Sequence, residues 1–411
     1  MAIIYNILIQ LTSLVLKGVA LFNTKIKKGV SGRKQTFPIL KNNISHTDTC
    51  IWFHCASLGE YEQGLPVFKE IRKSYPNHKI VLSFFSPSGY EIRKNTKIAD
   101  IVVYLPLDTK GNAKKFIDIV NPQLTVFVKY DIWPNFLNEI KKRNLKAILI
   151  SALFRPDHSF FKYYGKAQRN ALLAFEHIFV QNETSKTLLN KINYNEVTVS
   201  GDTRFDRVYS QLAQNNTLDF INEFKQDSLC VVAGSTWPED ENILIDYINK
   251  KASKKLKFII APHNIKATQI EKFCKQLEVP CIKYSEKESQ DLSKYPVFIM
   301  DTIGLLTKTY NYADIAYVGG AMGTTGLHNT LEPAVFGIPV IIGKNYKEFP
   351  EAHEMIEANG MFTVKNKEEL ALILDKWIKN PDKREYSGLQ NLKYIKKNTG
   401  AVVQIIDLIR I

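Results

Sequence analysis

The sequence predicts an α/β protein made of two Rossmann-like, doubly wound domains facing a central cleft, preceded by an N-terminal membrane-associated helix. Three observations predict it. The chain has 411 residues, too many for one ordinary core. From residue 50 onward, short β-branched runs alternate with amphipathic stretches, the pattern of parallel strands covered by helices. The alternation pauses over the polar segment 209–227 and resumes at 229.

At the N-terminus, residues 1–22 read MAIIYNILIQLTSLVLKGVALF, and the positive charges Lys25, Lys27, Lys28, Arg33 and Lys34 follow this run. A secretory leader carries its charge first, so the basic flank marks a cytoplasmic side. Lys17 interrupts the run, and a spanning helix wants about 20 apolar residues. Asn6, Gln10, Ser13 and Lys17 fall on one narrow helical stripe. Residues 1–28 therefore read as a helix with a broad apolar face and a basic flank, suited to an anionic bilayer surface. The pattern also suits a helix whose stripe meets water while its apolar face packs on the protein.

The first domain, 29–208, takes strands at 51–55, 79–85, 101–105, 124–128, 146–151 and 177–180, with helices near 63–74, 113–119 and 136–143. Residues 209–228 form the connection. The second domain, 229–411, takes strands at 229–233, 257–261, 297–300, 314–318 and 339–342, and helices near 241–250 and 265–277. A helical pattern near 401–411 closes it. Ligands of such sheets gather at the carboxyl ends of the strands.

Composition narrows the partners. Lys plus Arg number 55 against 41 Asp plus Glu, a net charge of +14 that favours an anionic partner. No zinc-finger, RNP-type or helix-turn-helix pattern selects nucleic acid. Five cysteines without a CxxC fit a reduced, cytosolic chain. Eight histidines without HExxH or paired ligand spacing indicate no metal.

Several strand ends carry chemistry. Gly319-Gly320-Ala321-Met322-Gly323-Thr324-Thr325-Gly326 follows a strand, and Asn329 reads as the N-cap of a helix near 331–336, with Glu332 three residues on. Such a run can bring backbone N–H groups to a phosphate, or can simply be a glycine-rich turn. His263, after Pro262, can donate to a phosphate or base, and the backbone of 301–306 can face a nucleobase. Glu60 opens a helix after a strand and a glycine, either as a charge favouring the helix N-terminus or as a general base. Lys129-Tyr130-Asp131-Ile132-Trp133-Pro134 ends another strand, and Arg204 and Arg207 follow Gly201.

Together these motifs resemble the Kdo transferases, which attach 3-deoxy-manno-octulosonic acid to lipid A. The family's H-A-A-S-x-G-E stands here as His54-Cys55-Ala56-Ser57-Leu58-Gly59-Glu60. Its G-G-H-N-P-L-E-P stands as Gly326-Leu327-His328-Asn329-Thr330-Leu331-Glu332-Pro333, and Pro339-Val340-Ile341-Ile342-Gly343-Lys344-Asn345-Tyr346 matches as well. The resemblance implies a GT-B fold and an inverting transfer of Kdo from CMP-Kdo to a lipid A precursor of the lipid IVA type. It places that reaction at the cytoplasmic face of the Gram-negative inner membrane, within lipopolysaccharide biosynthesis, with no metal or other cofactor. It casts Glu60 as the base, and Asp131 and Arg204 as transition-state stabilisers. Pro262, His263, Gly304, Leu305, Leu306, Asn329, Thr330, Leu331 and Glu332 become the CMP-binding set. Departures are Lys129 and Asp131 in place of the family's frequent glutamates, Leu327 for glycine, Thr330 for proline, and Arg204 where some members have lysine. A sugar-nucleotide epimerase of the same architecture and a non-enzymatic nucleotide- or lipid-binding protein are the competing readings.

Overall fold

A computed structural model describes residues 2–409. It divides into two compact units, Val208–Asn398 and the rest of the chain on either side of it.

The first unit holds a parallel sheet of β1 (Cys50–Cys55), β2 (Lys79–Phe84), β3 (Ile101–Tyr104), β4 (Pro122–Val128), β5 (Lys146–Ala152), β6 (His177–Val180) and β7 (Val197–Val199), in the order β3-β2-β1-β4-β5-β6-β7. Every residue of β1 is buried, as expected where helices cover both faces of a parallel sheet. Strand order reverses beside β1, which pairs with both β2 and β4. The carboxyl ends of β1 and β4 therefore flank the switch point where such sheets open a crevice. Lys129 at the end of β4 (φ 70°) and Ser151 in β5 (φ 51°) adopt left-handed backbone, a conformation that costs energy outside glycine and clusters at functional loops.

The second unit repeats the plan with β8 (Leu229–Thr236), β9 (Leu256–Pro262), β10 (Cys281–Lys283), β11 (Val297–Ile299), β12 (Ile315–Val318), β13 (Val340–Gly343) and β14 (Met361–Val364), in the order β10-β11-β9-β8-β12-β13-β14. Its reversal lies at β8, between β9 and β12.

Three expectations are corrected. The basic flank is not a tail after one helix: α1 (Ala2–Val19) is followed by α2 (Thr24–Asn43), so the boundary at 28 falls inside a helix. The connection 209–228 contains the helix Asp219–Lys225, whose Ile221 and Phe224 are buried within the second unit. The closing helix, Ala401–Leu408, belongs to the first unit. Its Ile405 is buried in the cluster of Phe53, Tyr61, Val67 and Phe68, and the Gly400 N–H donates to Asp206 Oδ1 at 2.8 Å. Its apolar residues complete a face of the first sheet beside α3 (Leu58–Ser74).

Among the described residues no helix is long and apolar enough to cross a membrane. The orientation of α1 is inverted relative to an ordinary surface helix. Its polar side faces the protein: Tyr5 donates to Asp108 Oδ2 at 2.7 Å, and Asn135 Nδ2 donates to Asn6 Oδ1 at 2.9 Å. Asp108, fully buried, also accepts the backbone N–H groups of Asn135 and Phe136 at 3.0 Å each. Ser13 and Lys17 line a cavity of about 190 Å³ together with Arg33 and Lys34 of α2. Ile4, Ile7, Leu8, Leu11, Leu14 and Val15 point outward and are exposed. The alternative in which the apolar face packs on the protein is thereby excluded.

Candidate functional site

In the first unit the candidate groups sit just beyond strand ends, Asp131 on a turn and Glu60 and Arg204 in the first turn of a helix. Ser57 precedes α3, and Glu60 lies in its first turn, half-buried. One carboxylate oxygen, Oε2, accepts both the Ser57 N–H at 2.7 Å and the Ser57 hydroxyl. Glu60 thus closes the helix N-terminus, one of the two roles its position predicts, and those same bonds fix where its carboxylate points.

Asp131, beyond the left-handed Lys129, is joined to β1. Its Oδ2 lies 2.6 Å from His54 Nε2 and 3.0 Å from Trp133 Nε1. His54 is fully buried, and its Nδ1 is 2.8 Å from Ser83 Oγ, which also accepts Trp52 Nε1–H at 2.7 Å. Two matched motifs, those containing Glu60 and Asp131, therefore meet through His54. Both carboxylates also act on the same buried thiol: burial, then the charges of Glu60 and Asp131, push Cys55 well above the usual thiol range.

Arg204 folds back on its own loop. Its Nε donates to Asp202 Oδ2 at 2.7 Å and its backbone N–H to Asp202 Oδ1 at 2.9 Å. Gln63, one turn after Glu60 on α3, donates to the same Oδ1 at 2.9 Å. The second guanidinium, Arg207, pairs with Glu62 Oε2 at 2.8 Å.

In the second unit His263 stacks between Trp237 (ring centroids 4.7 Å apart) and His328 (4.4 Å). Trp237 Nε1–H donates to His328 Nε2 at 3.0 Å. Burial, then the neighbouring His263, lowers His328 to about 4, and burial also lowers His263. Both rings are therefore held toward the neutral form at pH 7, and offer hydrogen bonding and a stacking face without a full charge. Glu332 joins two further segments. Its Oε1 accepts Asn329 Nδ2–H at 3.0 Å, and its Oε2 accepts the Thr307 hydroxyl at 3.0 Å. The loop of Gly304 (φ 92°), Leu305 and Leu306 is thereby tied to Asn329, Thr330, Leu331 and Glu332. The helix there is shorter than expected, Leu331–Ala334, and its cap residue is Thr330; Asn329 still accepts the Leu331 N–H at 3.2 Å.

The glycine run differs from its phosphate-cradle expectation. The Gly320 N–H donates at 2.8 Å to Asp240 Oδ2, a buried carboxylate on the helix Pro238–Lys251 whose proton affinity burial raises. At Gly319 a Cβ would fall 2.4 Å from the Ser235 carbonyl oxygen. Here the glycines serve close packing against the end of β8, and a protein carboxylate occupies an amide that a phosphate would need. Among the described residues no group of three or more His, Cys, Asp or Glu side chains could hold a metal.

Residues 30–207 match the family model of the 3-deoxy-D-manno-octulosonic-acid transferases. Over 374 residues the chain is 27% identical to the Haemophilus influenzae 3-deoxy-D-manno-octulosonic acid transferase, covering 88% of this chain and 86% of that protein. The Aquifex aeolicus transferase of the same name is 27% identical over 342 residues, covering 82% and 88%. The chain is a relative of the Kdo transferases. Of the solved structures, the UDP-GlcNAc 2-epimerase of Neisseria meningitidis superposes with a TM-score of 0.62 at 14% identity, covering 88% of this chain and 99% of that one. That likeness shows the shared two-domain α/β fold and nothing of chemistry.

Sequence reasoning did not single out His54, Ser83, Trp133, Trp237 and His328, which hydrogen bonds and ring contacts tie to the candidate residues. His54 and His328 lay inside the quoted motifs, so the signal was present. Ser83 sits in β2 and has no motif; only the β1–β2 register, which pairs it with His54, reveals it.

Proposed function

We propose that this chain is a glycosyltransferase that moves Kdo from CMP-Kdo to a lipid A precursor of the lipid IVA type, at the cytoplasmic face of the inner membrane, by an inverting single displacement. The observation that supports the reading is that the family's matched residues gather at or just beyond strand ends in each unit, with Glu60, Asp131, Arg204 and Glu332 held by the hydrogen bonds described above. Glu60, oriented by Ser57, takes the proton of an acceptor hydroxyl as its oxygen bonds to the anomeric carbon. The bond from that carbon to the CMP phosphate breaks. Asp131 opposes the positive charge that develops on the sugar. Glu332 accepts hydrogen bonds from the nucleotide's hydroxyl groups, and His263 with Trp237 offers a stacked, neutral surface to CMP. Arg204 supplies charge to the leaving phosphate.

The outward apolar face of α1 and the charges of Lys25, Lys27 and Lys28 support docking on an anionic bilayer, which would bring a lipid acceptor to the enzyme. Incubation of the purified protein with CMP-Kdo, with and without lipid IVA, tests the reading. Kdo-lipid formed only in the presence of lipid is expected. Isomerised donor without acceptor would assign the chain to epimerase chemistry, and CMP binding without turnover would leave a binding protein.

A further inference from the structure

The shortest contacts around His54 select one assignment of donors and acceptors. Trp52 Nε1 and Trp133 Nε1 can only donate. Trp52 gives its N–H to Ser83 Oγ at 2.7 Å. The Ser83 hydroxyl is 3.4 Å from the Phe53 carbonyl and 2.8 Å from His54 Nδ1, so the ring nitrogen is the nearer acceptor for its proton, and we assign it there. That leaves the other ring nitrogen, Nε2, to carry a proton, and 2.6 Å away stands Asp131 Oδ2, an acceptor when ionised. Trp133 N–H is 2.9 Å from His54 Nε2 and 3.0 Å from Asp131 Oδ2; with Nε2 already a donor, it too serves the carboxylate. The result is a one-way chain from Trp52 through Ser83 and His54 to Asp131. It starts in the packed core, where Trp52 meets Phe116, Phe127 and Phe136, and ends at a side chain 17% exposed.

We propose that His54 is the positioning residue of this enzyme: through Nε2–H it holds the Asp131 carboxylate in the place and orientation the transfer step uses, with Ser83 locking the ring's tautomer. The role of Asp131 in transfer rests on the reading above; the hydrogen-bond chain does not. Asp131 has its Oδ2 filled by two N–H donors, so its carboxylate is held in place to oppose the sugar's developing charge, and proton abstraction is left to Glu60. Asp131 reaches the buried ring from the turn after β4, which Lys129 enters in left-handed backbone. The other titratable groups acting around it are Cys55 on β1, Asp108 on the loop after β3, and Tyr5 on α1.

Two amide replacements separate positioning from mere packing. Glutamine places its amide nitrogen near the Nε2 position, whereas asparagine reaches only the Nδ1 position. His54→Gln should keep kcat within about threefold of the parent, and His54→Asn should lower it by roughly 10²-fold with KM for CMP-Kdo unchanged. Ser83→Ala should give a smaller loss of the same kind. Equal kcat in the two His54 variants, or losses that follow only the folded fraction, would overturn the role. Histidine ¹⁵N NMR of the wild-type chain tests the chain of bonds with no reference to turnover. A proton on His54 Nε2 whose resonance moves in Asp131→Asn is expected, and an unprotonated Nε2 would overturn the assignment. Absence of transfer by the wild type together with that resonance would sink the transferase reading and leave the hydrogen-bond chain standing.

Discussion

Glu60 shows how one side chain carries a structural and a chemical duty at once. Its carboxylate satisfies Ser57 at the mouth of α3, and glutamine would retain an oxygen for that N–H. Stability in Glu60→Gln should fall by only about 0.3–1 kcal/mol, the worth of a charge at a helix N-terminus. Transfer should fall by roughly 10²–10⁴-fold if this oxygen accepts the acceptor's proton. Rate measurements with a lipid acceptor on Glu60→Gln and Asp131→Asn check it; a near-normal Glu60→Gln would remove this residue from the chemistry. At this scale the sequence was most legible where residues cluster in motifs. It said little about partners far along the chain, because Ser83 reaches His54, and Asp202 reaches Gln63, only after the sheet has formed.

Single elements were legible in proportion to their burial. Central strands such as β1 and β8 read clearly as continuous apolar runs. The strands missed were β7, β10 and β14, each of three or four residues and at or near a sheet edge. Strands that short give periodicity little to work on. α1 was legible as amphipathic but not in orientation, since a polar stripe suits water and the protein's own donors and acceptors equally. The contacts of Tyr5 and Asn6 decide it. Leu11→Asp combined with Val15→Asp therefore alters an exposed face and leaves those contacts intact. Co-sedimentation with anionic liposomes should drop at least about tenfold while the melting temperature holds, because apolar area buried in the bilayer drives the binding. Added salt should weaken the parent's binding only in part, as apolar burial is not screened. Unchanged co-sedimentation of the double variant would refute surface docking by α1.

For the whole molecule, the two α/β halves were read correctly as successive, but the return of the last helix to the first unit was not. Nothing in AVVQIIDL names its partner; that is set by the vacancy its Ile405 fills beside Phe53 and Phe68. Ile405→Ala should cost about 2–4 kcal/mol. Deleting 399–411 should cost more, since it also strips Asp206 of the Gly400 N–H. Denaturant unfolding checks both, and a truncated chain as stable as the parent would contradict the packing.

That return also orders events during synthesis. The unit made first is the one finished last, because the cluster of Phe53 on β1 and Phe68 on α3 lacks Ile405 until the helix Ala401–Leu408 has left the ribosome. Val208–Asn398 lies wholly upstream of that moment and can fold as soon as it emerges. A stalled or prematurely terminated chain would thus carry a complete second unit and a sticky first one, and quality-control proteases that sense exposed apolar surface would meet the defect at the early end of the protein.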